Sequence, residues 1–268
     1  MKRSNKRKLG IISKNIYIAL VHLFLFLPII VLVLFSFNTS KMNITFQGFT
    51  TKWYIALFKN KALMEALFNT LIIAVSSTVV SGVIGTLAAV GMNRYKFKGK
   101  GIIDSLLYIP VVIPEIVLGI SLLSIFSIAN LKLGLFTIIL AHITFSVPFV
   151  IITVRARLSG FDKSIEEAAM DLGANRFKTF TKVTLPVISP GVLSGVMLAF
   201  TLSLDDVVIS FFTAGPGSNT LPLKIFSMVK TGVTPDVNAL STLIMLVTLL
   251  GLGFATLMQV KEIKKLNN

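Results

Sequence analysis

Cysteine is absent from this 268-residue chain. Its absence excludes disulfides, cysteine-ligated metals and thiol catalysis. The sequence also has no Gly-x4-Gly-Lys-Ser/Thr phosphate loop, no metal-ligand cluster and no nucleophile paired with a base. We therefore expect no chemistry, no bound metal and no ATP binding from this chain itself.

Acidic residues are scarce, whereas apolar residues dominate. The apolar share is 54% and the mean hydropathy is +0.86, well above the balance of a soluble domain. Six apolar runs are each long enough to cross about 30 Å of hydrocarbon. They cover roughly residues 16–37, 66–92, 102–127, 133–154, 188–212 and 238–259. The first run follows a basic segment and lacks a small-x-small cleavage site, which indicates an uncleaved signal anchor.

Basic residues predict the orientation of these segments. Nineteen of the 26 Lys and Arg fall in the N-terminus, the 93–101 loop, the 155–187 loop and the tail. Because loops rich in Lys and Arg stay in the cytoplasm, both termini and the 155–187 loop are expected there. The net charge of +15 therefore reflects the orientation of the chain in the membrane. It favours contact with the lipid bilayer over nucleic acid. The sequence predicts an all-α membrane protein with a basic cytoplasmic N-terminus (1–15) and one transmembrane domain (16–268, core 66–259).

The 155–187 loop has the pattern of two short helices joined by a sharp turn. Ser164 and Glu167 have the spacing of a capping box. Gly173 can adopt the left-handed conformation that ends a helix. Asn175 can cap a second helix, which we expect Pro186 to stop.

Within this loop, Glu167-Ala168-Ala169 is followed after three residues by Gly173, and after nine more by Val183, one residue and Leu185-Pro186. The pattern resembles the cytoplasmic EAA loop of permease subunits of bacterial ABC importers, with Val183 for the usual isoleucine. The resemblance implies a coupling helix that sits in a cleft of an ATPase subunit. The alternative is a helix packed on its own protein. The residues implied in coupling are Glu167, Ala168, Ala169, Asp171, Gly173, Leu185 and Pro186.

Three acids lie deep inside apolar runs, away from the inner ends: Glu115, Asp205 and Asp206. Each costs several kcal/mol at membrane depth unless it faces protein, water or a partner charge. No Lys or Arg lies inside an apolar run to pair with them. Along straight helices, Glu115 and Asp205 would lie about 20 Å and about 22 Å from the inner ends of their segments. Unpaired acids at one depth predict a cationic passenger; the alternative is that they are solvated at helix ends.

Several neighbouring residues belong to the same hypothesis. Pro110 and Pro114 should loosen the helix before Glu115. Tyr108 lies seven residues before Glu115 and would share a face with it if the helix survives the prolines. There, its ring could stack on a cation or form a wall of the cation site. Trp53, in an outer connection, is either an anchor at the membrane surface or part of the pathway mouth. For His142, with no acidic neighbour in sequence, we expect packing or an interhelical hydrogen bond.

Small residues recur every four positions in two of the apolar runs. Such stripes let another helix approach closely, so we expect close helix packing there. They comprise Ser77, Ser81, Gly85 and Ala89, and Gly191, Gly195, Ala199 and Ser203.

The last third of the chain extends the resemblance. The stretch from Thr201 to Phe212, then Gly215-Pro216-Gly217 and Leu221 to Lys230, resembles PotC-type permease subunits of spermidine/putrescine ABC importers. It implies the fold of a type I ABC importer transmembrane domain, in the cytoplasmic membrane of a bacterium, with an acidic polyamine site. It also implies a second homologous permease subunit, two ATPase subunits that bind ATP and Mg, and an extracytoplasmic polyamine-binding protein. The substrate-pathway hypothesis comprises Glu115, Asp205, Asp206, Ser203, Tyr108 and Trp53.

Other functions remain open from the sequence. One is an ABC permease for another solute, such as thiamine, ferric iron or an anion, although an anion would require basic residues at the depth of Glu115. Another is a proton-coupled secondary carrier, which leaves the pattern in the 155–187 loop unexplained. A membrane enzyme lacks a catalytic group.

Overall fold

The computed structural model describes residues 2–41, 44–229 and 234–266, with side chains for 14–41, 44–228 and 234–250. This part of the chain is helical and has no strand beyond an isolated antiparallel bridge between Asn38 and Phe49. The helices are α1 (Lys2–Phe35), α2 (Lys52–Lys59), α3 (Lys61–Arg94), α4 (Lys100–Val112), α5 (Glu115–Ile128), α6 (Leu135–Leu158), α7 (Ser164–Asp171), α8 (Arg176–Thr179), α9 (Leu185–Asp205), α10 (Val208–Thr213), α11 (Leu221–Val229) and α12 (Pro235–Leu266).

The chain forms two compact units. One comprises Met1–Met64 and Met228–Asn268, and the other Glu65–Ser227. In the first unit α1 and α2 both pack on α12, and the Asn60 side chain donates a hydrogen bond of 2.7 Å to Asp236. The second unit contains α4 to α10, most of α3 and the whole 155–187 loop.

Four described helices are long and apolar enough to cross a membrane, or five if the bent pair α4 and α5 is one span. The four segments are Lys14–Phe35, Lys61–Arg94, Leu135–Leu158 and Arg176–Asp205. The apolar part of α12 with described side chains is shorter, Pro235–Leu250. Six spans therefore stay a prediction. So does the cytoplasmic placement of both termini, since most basic side chains there lie outside the described residues.

The predicted break near Glu115 is confirmed. α4 and α5 meet at an angle of 112°. Ile113 between them has extended backbone, the conformation favoured before a proline such as Pro114. The straight helix assumed for the depth of Glu115 was therefore wrong, and the condition for a shared face with Tyr108 is not met. Pro110 is accommodated inside α4, and the helix ends just before Pro114.

The segment predicted as one run over 188–212 is also divided. α9 ends at Asp205 and α10 begins at Val208, so the two aspartates lie at the break. At the other end, the expected stop at Pro186 was wrong. A π-helical turn, Phe180–Thr184, joins α8 directly to α9, and Pro186 lies in the first turn of α9. Proline is tolerated there because its missing N–H falls where the α-helical ladder is already interrupted.

The close packing predicted from the small residues is confirmed. All eight members of the two stripes are buried. Val150 of the central helix α6 lies against both stripes: a Cβ built on Gly85 would be 2.6 Å from its Cβ, and one on Gly195 would be 3.2 Å from its Cα. α6 therefore packs closely against both α3 and α9 at Val150.

Replacing Gly85 with alanine tests this packing. We expect Gly85→Ala to destabilise the protein by about 1–3 kcal/mol, because the new methyl overlaps the buried Val150. Thermal unfolding in detergent would measure the loss. Gly91→Ala in the same helix is the matched control, since a Cβ there meets no atom within 4 Å. Equal losses in both variants would contradict the close approach of α3 and α6.

Candidate functional site

The two helix breaks surround one cavity of about 390 Å³, which we call the acidic cavity. All three membrane acids predicted from the sequence, Glu115, Asp205 and Asp206, line it. Its apolar walls include Pro110, Val111, Leu118, Phe145, Phe149 and Leu202. Residues from five helices line the cavity, so three carboxyls are placed around a largely apolar chamber.

Two of the three carboxyls have no partner in the part of the chain that the structure describes. Glu115, in the first turn of α5, and Asp205, the last residue of α9, are both exposed. Among the described residues, neither has a hydrogen-bond or ion-pair partner. In the same part of the chain, no three His, Asp or Glu come close enough to hold a metal ion. These two groups are therefore available to a cation that enters the cavity.

Asp206 is different, because it is buried and already partnered. Its Oδ1 accepts the backbone N–H of Ile209 at 3.1 Å, and its Oδ2 accepts that of Ser210 at 2.7 Å. Its Oδ2 also lies 3.3 Å from Nε2 of His142. The expectation that all three acids lack a partner in the chain was therefore wrong for Asp206. Its partner is a histidine on another helix, and a search for Lys and Arg could not find it.

The other predicted pathway residues do not line this cavity. Ser203 is buried, with its hydroxyl 2.6 Å from His142 Nδ1 and 3.2 Å from the Ser77 hydroxyl, so the interhelical hydrogen bond expected of His142 is confirmed. Tyr108 is half exposed on α4. Trp53 belongs to the other compact unit, where its indole N–H donates to Asn38 O at 2.6 Å and Lys52 Nζ lies 4.7 Å from its ring.

A second, apolar cavity adjoins the acidic one. It has a volume of about 460 Å³ and shares Val207 and Val208 with the acidic cavity. Its other lining residues are Ile116, Phe211, Phe212 and Phe226. Val207 and Val208, which follow the break at the end of α9, thus lie between the acidic cavity and the apolar one.

The 155–187 loop has the predicted helix–turn–helix form, with one change at its start. Ser164 is the first residue of α7 and makes no capping box; instead, Asp162 accepts the Ser164 backbone N–H at 2.9 Å. Hydrogen bonds from Ser164 lower the pKa of the Asp162 carboxyl, because they stabilise its ionised form. Asp162 is the better cap because an ionised oxygen near the helix start also interacts favourably with the helix dipole.

The turn and the second cap are confirmed. Gly173 has a φ of +87°, in the left-handed region. The Ala174 N–H beyond it donates to Ala169 O at 3.0 Å, which closes the end of α7. The Asn175 side chain accepts the Lys178 N–H at 2.8 Å and caps α8.

Four apolar side chains of the loop are exposed, and together we call them the loop patch: Ile165, Met170, Leu172 and Phe177. Leu172 is 90% exposed and Phe177 is 74% exposed. Of the residues that the resemblance implicates in coupling, Glu167, Ala168, Asp171, Gly173 and Pro186 are exposed, whereas Ala169 and Leu185 are half-buried. Exposed apolar side chains that are grouped in one capped helix–turn–helix segment are typical of a surface that contacts another protein or a membrane.

The loop is attached to the helices by a residue that sequence reasoning missed. Glu166 is buried and forms an ion pair with Arg94, at the end of α3. Arg94 also donates to the Thr184 hydroxyl at 2.8 Å, and that hydroxyl in turn donates to Glu166. The signal in the sequence was Glu166 itself, an acid directly before the EAA pattern and out of phase with its exposed face.

Comparison with known proteins places these features in a family. Residues 81–261 match the family described as binding-protein-dependent transport system inner membrane component. The chain is 44% identical over 241 residues to the spermidine/putrescine transport system permease protein PotC of Escherichia coli (strain K12), covering 90% of this chain and 91% of that protein. It is 44% identical over 229 residues to the putrescine transport system permease protein PotI of the same strain, covering 83% and 82%.

A solved structure has the same fold. It is a crystal structure of a bacterial ABC transporter involved in the import of the acidic polysaccharide alginate, with a TM-score of 0.73 over 93% of this chain and 96% of that one. The sequence identity is 15%. The predicted fold class, an all-α membrane domain of an ABC importer, is confirmed.

The attachment of the loop can be tested at Glu166. We expect Glu166→Gln to destabilise the protein by about 1–3 kcal/mol, because Arg94 loses the negative charge that compensates it while remaining largely buried. The apparent melting temperature, together with proteolysis of the loop, would measure this. The matched control is the exposed neighbour Glu167→Gln, for which we expect an unchanged melting temperature. If the two variants melt alike, Glu166 does not fasten the loop.

Proposed function

This chain belongs to the family of binding-protein-dependent transport system inner membrane components, and we propose that it is the permease subunit of an ABC importer whose cargo is a polyamine such as spermidine or putrescine. It is a multi-pass component of the inner membrane. The observation that supports a polyamine as the cargo is the acidic cavity. In the described part of the chain, its carboxyls Glu115 and Asp205 are exposed and have no partner.

The chemistry of the acidic cavity favours a cation with apolar segments. Two carboxylates without partners in an apolar chamber attract ammonium groups strongly, because the surroundings screen charge poorly. Phe145 and Phe149 offer the same cargo an apolar surface for its methylene groups. The relatives PotC and PotI, named for spermidine and putrescine transport, agree with this cargo. The likeness to the alginate importer does not bear on it, since a fold does not fix its ligand.

The structure offers a mechanical path from the 155–187 loop to the acidic cavity. α9 runs from the loop to Asp205, a rise of about 30 Å at 1.5 Å per residue. Glu166 joins α7 to the start of α9 through Thr184, and to α3 through Arg94. A push on α7 is therefore transmitted to the helix whose far end lines the cavity.

Partner proteins supply what this chain lacks. The loop patch docks an ATPase subunit, with Glu167, Asp171 and Gly173 at the contact. Two such subunits bind ATP and Mg, and their closure and reopening drive alternating access. A second, homologous permease subunit completes the membrane domain, and an extracytoplasmic binding protein delivers the polyamine. Affinity in the cavity is modest, so that the cargo can leave.

The cargo is tested by neutralising the two unpaired acids one at a time. We expect Glu115→Gln and Asp205→Asn each to raise KM for radiolabelled spermidine or putrescine uptake about tenfold or more, because one charge pair is lost. Uptake would be measured in cells that express the whole transport system. Glu65→Gln is the control, since this exposed acid does not line the acidic cavity.

Competition by unlabelled solutes distinguishes the alternatives. Unlabelled polyamines should abolish uptake, and thiamine or ferric iron should not. Transport of one of those solutes, with no effect of either acid variant on polyamine uptake, would contradict the proposed cargo while leaving the family membership intact.

The docking role of the loop is tested at its turn. We expect Gly173→Val to lower the cargo transported per ATP hydrolysed in proteoliposomes by about tenfold, because a β-branched residue is strained at a φ of +87° and α7 is then misdirected. Gly160→Val is the matched control in the same loop, at a position where a Cβ meets no atom within 4 Å and φ is not left-handed. Normal coupling in Gly173→Val would refute the role of this turn.

A further inference from the structure

A buried histidine stands directly behind the acidic cavity. His142, on α6, is 1% exposed and both of its ring nitrogens have polar neighbours. Nδ1 lies 2.6 Å from the Ser203 hydroxyl of α9. Nε2 lies 3.3 Å from Asp206 Oδ2 and 3.2 Å from the Ser210 hydroxyl of α10. The ring therefore bridges three helices at the point where the α9 segment breaks.

The hydrogen bonds around His142 are satisfied by one tautomer in particular. A proton on Nε2 points toward the Asp206 carboxylate, whereas a lone pair there would face it and repel it. Nδ1 then accepts from the Ser203 hydroxyl, and the Ser203 oxygen accepts from the Ser77 hydroxyl at 3.2 Å. With this assignment each buried group in the series has a partner, so the arrangement is fixed from α3 through to Asp206.

The three cavity acids consequently have unequal roles. The carboxylate oxygens of Asp206 accept hydrogen bonds from two backbone N–H groups of α10 and contact His142. The carboxylates of Glu115 and Asp205 accept no hydrogen bond from any group in the described part of the chain. A passenger cation would gain most from the two carboxylates that have no other partner.

We propose that His142 is a positioning residue for transport: its Nε2–H holds Asp206 in the cavity wall and sets the break between α9 and α10, which places Asp205 for contact with the passenger amine. The proposal rests on the proposed function. Without the Nε2–H, Asp206 keeps only its contacts with Ile209 and Ser210 of α10, and the direction in which Asp205 leaves the end of α9 is no longer fixed.

Two amide substitutions separate the two ring nitrogens. The Gln side chain can place its N–H₂ near the site of Nε2, whereas that of Asn reaches only the site of Nδ1. We expect His142→Gln to keep KM for polyamine uptake within about twofold of the wild type, and His142→Asn to raise KM about tenfold. Both should keep a similar maximal rate per assembled complex, because neither changes the loop patch.

Equal values of KM in the two variants, at equal amounts of assembled complex, would overturn the proposal. So would the loss of both variants from the membrane, because His142 would then serve only folding. A merely structural role predicts changes in complex amount and maximal rate, not a difference in KM that depends on which nitrogen is mimicked.

A second measurement does not depend on transport. In the purified complex, the losses of melting temperature caused by His142→Asn and Asp206→Asn should not add in the double variant, because the two residues share one contact. Additive losses would overturn the proposal. Absence of polyamine uptake by the wild type would instead contradict the proposed function, and this double-mutant cycle would still report on the His142–Asp206 contact.

Discussion

An ionised carboxyl among apolar helices has to be compensated, and the second compact unit is arranged around that requirement. Burial of such a charge costs several kcal/mol unless protein dipoles, water or a countercharge replace the lost hydration. Asp206 obtains its compensation from His142 and the start of α10. Glu115 benefits only from its place in the first turn of α5. Asp205 sits at the carbonyl end of α9, where the helix dipole disfavours a negative charge.

The helix that ends at one of these breaks also connects the acidic cavity to the 155–187 loop. Because α9 stops at Asp205, its far end is free to carry a carboxylate into the cavity instead of continuing as a membrane span. Its near end continues through the π-helical turn into α8 and the loop. α8 and Asp205 therefore lie at the two ends of one continuous helical segment, Arg176–Asp205. The small residues against Val150 keep this segment in close contact with α6.

Local features of the sequence predicted local structure well. The turn at Gly173, the cap at Asn175 and the break near Pro114 each depend on a few adjacent residues, and each is confirmed. The contacts of Asp206 with His142 and of Glu166 with Arg94 were missed. The second pair joins residues 72 positions apart, and only the tertiary packing of helices brings such partners together. The error at Pro186 has another origin, since a π-helical turn leaves no clear signal in composition.

The shape of the site distinguishes a polyamine from a simple cation. A metal ion or a single ammonium group would use the carboxylates of the acidic cavity but gain nothing from its walls. A polyamine alternates charge with methylene groups, and each methylene buried contributes about 0.8 kcal/mol. The apolar cavity beyond Val207 and Val208 extends the surface on which such segments can lie. In the described part of the chain, Glu115 and Asp205 are the acids of this cavity without a partner, so the proposed site matches two amines, and a longer polyamine would need a further countercharge.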